Sequence, residues 1–252
     1  MLTRTAVVAR LAAAGCVAAG READEFLAAA PDHATLEGWL HRRERGEPPA
    51  WITGTTSFCG LTLHITPGVY VPRNQTEDLA RRAAALLPAD GRAIDLCTGA
   101  GAVAAHLMAE VPTAAVVGTD IDRRAAACAH SNGVPVVRGD LAEPLRARTK
   151  VDVVTAVAPY VPTQAIELLS TDVQRHEPGH ALDGGADGLD VVRRVITAAA
   201  NLIDDEGWLL IEVGGDQADG LAPTFVRTGF TRVEPWADAD GDLRGIAAQR
   251  VS

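Results

Sequence analysis

Beyond Gln75 the chain alternates between two kinds of apolar pattern. Short runs rich in Val, Ile, Leu and Ala read as strands: Ala93–Leu96, Ala115–Thr119, Val134–Arg138, Val151–Val157 and Trp208–Val213. Between them apolar residues recur every three or four positions. That spacing predicts helices over Thr76–Leu87, Ala102–Ala109, Arg123–Ser131, Asp190–Asn201 and Gln217–Thr228. Two last strands, Thr231–Pro235 and Gly245–Val251, flank the polar turn Asp238 to Asp242. Apolar strands separated by helices require a parallel sheet covered on both faces, and the final pair adds antiparallel edge strands.

The pattern before Gln75 differs. Helical segments run to Ala19, from Asp24 to Ala30 and from Thr35 to Arg45, punctuated by Gly20, Pro31-Asp32 and the stretch from Gly46 to Pro49. Val7, Val8, Leu11, Ala14 and Val17 or Ala18 share one face of the first. Arg10 interrupts the apolar stretch, so this reads as an amphipathic helix of a cytoplasmic protein and not as a secretion signal. From Thr56 to Val71, Phe58, Leu61, Leu63 and Ile65 interleave with polar residues around Gly60 and Pro67-Gly68, the pattern of a hairpin. The expected division is a helical domain over 1–53, a β-hairpin linker over 54–75 and an α/β domain over 76–252.

Composition narrows the function. A hydrophobic fraction of 47% is ordinary for a globular protein, and the low aromatic share of 4% leaves the core to aliphatic residues. A net charge of −10 argues against direct binding of a long nucleic-acid backbone, which needs clustered cations. The basic stretch His41-Arg42-Arg43-Glu44-Arg45 is expected to be a solvated helix end. Cys16, Cys59, Cys97 and Cys128 form no CxxC pair, so they read as reduced thiols and not as zinc ligands. No apolar run is long enough to span a membrane.

Candidate chemistry gathers at the ends of successive strands. Asp95-Leu96-Cys97-Thr98-Gly99-Ala100-Gly101 leaves a strand and enters a helix, where glycines admit a ligand close to free backbone N–H groups. Asp120 and Ile121 follow the next strand, about 20 residues after Gly101, where a carboxylate can accept both hydroxyls of a ribose. Asp140 and Leu141 follow the third strand, where an Asp can accept from an adenine amino group. Val157-Ala158-Pro159-Tyr160 follows the fourth. This is the edge at which open α/β sheets bind ligands. A dinucleotide site prefers three glycines for its pyrophosphate. Here an acid precedes the turn, and Asp95, Asp120 and Asp140 suit a cationic ligand. S-adenosylmethionine, with its sulfonium and ammonium, fits better than NAD.

These residues resemble the protein-(glutamine-N5) methyltransferases that modify translation release factors and a ribosomal protein. The resemblance extends over most of the chain. It includes Gly46-Glu47-Pro48, Trp51-Ile52-Thr53-Gly54 and Phe58-Cys59-Gly60. It continues through the arm Arg73-Asn74-Gln75-Thr76-Glu77, with Asn74 in a proline's place, and through the cofactor segments. Glu177-Pro178 and Ala181-Leu182-Asp183-Gly184-Gly185-Ala186-Asp187-Gly188-Leu189 match a distinctive later loop. The resemblance implies a Rossmann-like class I methyltransferase with a seven-stranded sheet and an N-terminal helical domain that helps choose the substrate. It also implies Arg73 and Thr76 as further cofactor-site residues and a glutamine side-chain amide of a protein as acceptor.

One departure bears on catalysis. The family carries Asn-Pro-Pro-Tyr where this chain has Val157-Ala158-Pro159-Tyr160. In the family the Asn carbonyl and the next backbone carbonyl accept hydrogen bonds from the substrate –NH2 and aim a poor nucleophile at the methyl group. Val157 offers no side-chain acceptor. Loss of one such contact costs about 1–3 kcal/mol, roughly tenfold to a hundredfold in rate. Cys97 replaces the family's first glycine and is expected only to trim space. A different acceptor, such as a small molecule, and a non-catalytic cofactor-binding protein remain as alternatives. Tyr160 is expected to stack on the acceptor. His176 and His180 read as loop histidines, and Asp183, Asp187 and Asp190 as turn residues without metal.

Overall fold

The structure, a computed structural model, describes residues 2–146 and 149–250; Val251 of the last expected strand lies outside them. Four helices open the chain: α1 (Arg4–Ala13), α2 (Ala19–Ala29), α3 (His33–Glu44) and α4 (Pro49–Thr53). They enclose their own core of Val7, Leu11, Phe26, Leu36, Leu40 and Ile52. α1 stops six residues before the expected end. Gly15 turns the backbone at φ +83°, and the Cys16 N–H closes back on the Leu11 carbonyl at 3.1 Å. Val17 is consequently exposed and does not extend the apolar face. α4 was not foreseen; it opens on Pro49 at its first position, where a missing N–H costs nothing.

The hairpin is shorter than its apolar pattern. β1 (Thr55–Phe58) and β2 (Leu61–His64) pair across Cys59 and Gly60, whose φ values of +48° and +78° make the tight turn. Residues 65–75 belong to no strand or helix. Asn132 docks the hairpin onto the main domain: its amide donates to the His64 and Ala100 carbonyls and accepts from the His64 N–H.

The main domain follows as α5 (Thr76–Leu86), β3 (Arg92–Leu96), α6 (Ala102–Glu110), β4 (Ala115–Asp120), α7 (Arg123–Ser131), β5 (Val136–Arg138) and β6 (Val151–Ala156). A 3₁₀ turn over Thr163–Leu168 and α8 (Thr171–His176) lie where no element was expected. Then come α9 (Asp190–Leu202), β7 (Ile203–Glu212), α10 (Gln217–Thr228), β8 (Arg232–Ala237) and β9 (Leu243–Gln249). Seven strands form one sheet in the order β5-β4-β3-β6-β7-β9-β8, with β9 alone running against the other six.

The expected class I architecture is therefore present, with two boundary corrections. β5 begins at Val136, because the Val134 N–H caps α7 at Ala129 and the Val134 side chain packs beneath Gly101. β7 begins at Ile203, directly after α9, and carries a register shift against β6. Leu79, Leu107 and Ala129 cover one face of the sheet, and Val195, Ile196 and Phe225 the other. The sheet's strand order reverses between β3 and β6. That is the switch point where the carboxyl ends of strands open a crevice.

Candidate active site

The backbone beyond β3 coils tightly. Cys97, Gly99 and Gly101 have φ values of +56°, +58° and +80°. A Cβ on Gly99 would stand in open space, whereas one on Gly101 would lie 2.9 Å from Val134 Cγ2. Gly99 is thus open toward a ligand and Gly101 serves close packing. Cys97 adopts a conformation that glycine takes without strain, which is the physical content of its departure from the family pattern.

Asp120 braces this coil. Its Oδ2 accepts from the Gly99 N–H and its Oδ1 from the Asp122 N–H, each at 2.9 Å. Each oxygen keeps a second lone pair for a ligand hydroxyl. Burial raises the Asp120 pKa, opposed by the two backbone donors.

A cavity of about 160 Å³ opens above the coil, lined by Cys97, Gly99, Asp120, Ile121, Asp140 and Leu141 among others. Asp122 and Pro159 also border it. Ile121, 58% exposed, offers an apolar surface to a flat ring. Asp140 is already half committed: its Oδ2 accepts from Arg194 Nη2 at 2.6 Å, and Arg194 lines the same cavity. His180, expected as a plain loop residue, also lines it, with Nε2 at 3.2 Å from Asp122 Oδ2. Three carboxylates, aliphatic flanks and an open glycine turn fit a cationic adenosine ligand.

Asp95 has a different place. It is 2% exposed and accepts from Thr98 Oγ1 at 2.6 Å and Thr155 Oγ1 at 2.7 Å. It ties the coil to β6 from below and is absent from the cavity wall, as are Thr98, Ala100 and Gly101. Burial pushes its pKa up to about 6 against the pull of the two hydroxyls.

A second cavity, about 370 Å³, adjoins the first. Val157, Tyr70 and Ala181 border both, while Ala158, Tyr160, Arg73 and Gln75 line the second. Arg73 therefore borders the second cavity and not the first. It pairs with the buried Glu177 at 2.5 Å and lies over the Tyr70 ring at 4.9 Å. Thr76 lines neither cavity, since its hydroxyl donates to Glu212 Oε2 at 2.6 Å. Tyr160 lines the second cavity with its hydroxyl engaged: it donates to Glu212 Oε1 at 3.0 Å. Burial beside that carboxylate raises the phenol pKa far above neutrality, so the hydroxyl keeps its proton.

No family profile matches the chain. Individual proteins do. The release factor glutamine methyltransferase of Geobacter sulfurreducens is 37% identical over 222 residues, covering 86% of this chain and 78% of that one. The one from Mycolicibacterium smegmatis is 34% identical over 273 residues, covering 98% and 96%. The chain belongs to the release factor glutamine methyltransferase family. The reaction class of this methyltransferase is accordingly methyl transfer, and its methyl donor is S-adenosylmethionine. Among solved structures, the E. cuniculi Mtq2–Trm112 complex shares the fold, with a TM-score of 0.52, 22% identity, and coverage of 73% of this chain and 99% of that one.

Several residues at this methyltransferase's site escaped the sequence reading. Glu212, 2% exposed at the end of β7, collects donors from Gln75, Thr76 and Tyr160. An acid closing an apolar strand run was the available signal. Tyr70 and Arg194 carried none, because nothing local distinguishes them from surface residues. The basic stretch ends α3 with His41, Glu44 and Arg45 exposed as expected, but Arg43 is buried, bound to Glu22 at 2.7 Å and Asp172 at 2.6 Å, and Arg42 pairs with Glu47. Among the described residues no group of side chains could hold a metal ion. Asp183 and Asp187 instead close turns on the Gly185 and Leu189 N–H groups. No described helix is long and apolar enough to cross a membrane.

Proposed function

We propose that this chain transfers the methyl group of S-adenosylmethionine to the side-chain amide nitrogen of a glutamine in a protein, with a release factor as the partner class. The observation that carries this reading is the pair of cavities meeting at Val157, one acidic and built on the Gly99 coil, the other walled by Ala158 and Tyr160. In this reading Asp120 holds the ribose diol, Asp140 and Leu141 meet the adenine together with Ile121, and the Cys97–Gly99 backbone faces the amino-acid half.

The bound donor supplies an electrophilic methyl carbon on a cationic sulfur. The amide lone pair forms the N–C bond as the C–S bond breaks, and the sulfur keeps the electron pair. One amide proton leaves to solvent, giving N5-methylglutamine and S-adenosylhomocysteine. The Ala158 carbonyl accepts one amide N–H, so that the nitrogen lone pair turns toward the first cavity. Asp95 contributes at one remove, by locking the coil to β6.

The test is incubation with donor and a peptide spanning the methylated glutamine of a bacterial release factor, followed by fragmentation mass spectrometry. A methyl on glutamine is the expected product. Transfer only to another residue or to a small molecule would overturn the acceptor assignment.

A further inference from the structure

We propose that the side-chain carbonyl of Gln75 takes the place of the hydrogen-bond acceptor that Val157 lacks, an inference that rests on the glutamine reading above. Glu212 fixes the orientation of the Gln75 amide. Its buried carboxylate only accepts, so the –NH2 end faces it, at 2.9 Å from Oε1. The same –NH2 reaches the Tyr160 hydroxyl at 3.1 Å, and that hydroxyl spends its own proton on Glu212. Both donors of the amide are thereby used. The carbonyl Oε1 is the end left over, and it meets no donor among the described residues.

Position completes the case. Gln75 borders the second cavity together with Val157, Ala158 and Tyr160. Ala158 retains a backbone carbonyl for one hydrogen of the acceptor amide. Gln75 Oε1 takes the other. As the N–C bond forms, the amide nitrogen becomes positive and both N–H···O contacts strengthen, so they act chiefly in the transition state. The arm residue thus does from across the cavity what a polar side chain at 157 would do from the strand end.

The experiment separates the carbonyl from the network. In Gln75→Lys the ammonium can still donate to Glu212 and Tyr160, but no acceptor remains. On the release-factor glutamine peptide its kcat should fall tenfold to a hundredfold, with S-adenosylhomocysteine affinity and melting temperature unchanged. Val157→Asn placed in that background should restore at least tenfold of the loss. An unchanged kcat in Gln75→Lys overturns the assignment. So does a loss that Val157→Asn leaves unrepaired, because the effect is then structural. Absence of any glutamine product from the parent chain overturns the acceptor reading itself, and this assignment with it.

Discussion

Arg43, in the third helix of the N-terminal domain, holds Asp172 of α8 in a 2.6 Å ion pair. Leu169, Ser170 and Val173, which flank Asp172, line the cavity assigned to the acceptor. The same guanidinium grips Glu22 from within the helical core, so the appendage is fastened to the rim of that cavity through a buried charge. In the proposed function the appendage would act on acceptor choice by setting where α8 lies. Asp172→Asn weakens the tie without exposing the core. The expected outcome is a severalfold rise in peptide KM with unchanged affinity for S-adenosylhomocysteine, checked by steady-state kinetics and calorimetry. An unchanged KM would disconnect the appendage from acceptor binding. Arg43→Met leaves Glu22 buried without a partner and should cost about 3–5 kcal/mol in denaturant unfolding.

Asp120→Ala removes two backbone hydrogen bonds from the Gly99 coil and the carboxylate assigned to the ribose. Affinity for S-adenosylhomocysteine should drop by about 1.5–3 kcal/mol, the scale of hydrogen bonds to a charged group. Calorimetry on a variant shown to be folded decides the matter; equal affinities would take Asp120 out of the site.

Asp95 makes the fold pH-sensitive in a defined window. Its native pKa of about 6 lies above its ordinary 3.8, so the native state binds the proton more tightly than the unfolded chain does. Stability then falls as pH climbs from 3.8 to about 6, and above that the loss is complete. Asp95→Asn lacks this titration. The difference in melting temperature between the two proteins should therefore change across that window and level off above pH 7. Its full span corresponds to about 3 kcal/mol. A difference that is constant with pH would show that Asp95 titrates normally.

Thr76→Val keeps shape and removes one donor from Glu212, which retains Gln75 and Tyr160. A loss of about 1.5–3 kcal/mol in unfolding free energy is expected for a buried bond to a carboxylate. No loss would mean that the threonine hydroxyl is idle.

The sheet was legible in the sequence because each strand is an uninterrupted apolar run, and such runs have no other stable place than between two layers of helices. Asp120, Asp140 and Val157 could be located for the same reason, since a residue that ends a strand run ends up at the sheet's edge. Contacts between distant segments left no periodic trace. The pairing of Arg73 with Glu177, 104 positions later, is one such contact. Arg43 looked solvated because it sits in a run of charged residues after the last core leucine of its helix, Leu40, and only folding brings Glu22 and Asp172 to it. Residues 157–189 contain short turns whose shape is set by glycines such as Gly184 and Gly188, each packed against the backbone of the 159–162 segment, and not by any hydrophobic repeat.

β3 and β6 are neighbours in register, with Leu96 opposite Ala156, so Cys97 and Val157 emerge side by side from one ladder. The floors of the two cavities therefore share a single rigid foundation, and in the proposed reaction the line of attack between them would be inherited from sheet geometry. The other segments that wall the second cavity, residues 70–75 and 169–173, lie outside that ladder. Substitutions there can retune which molecule is methylated while the aim of the reaction stays fixed. In this architecture a catalyst can drift toward new clients without relearning its chemistry.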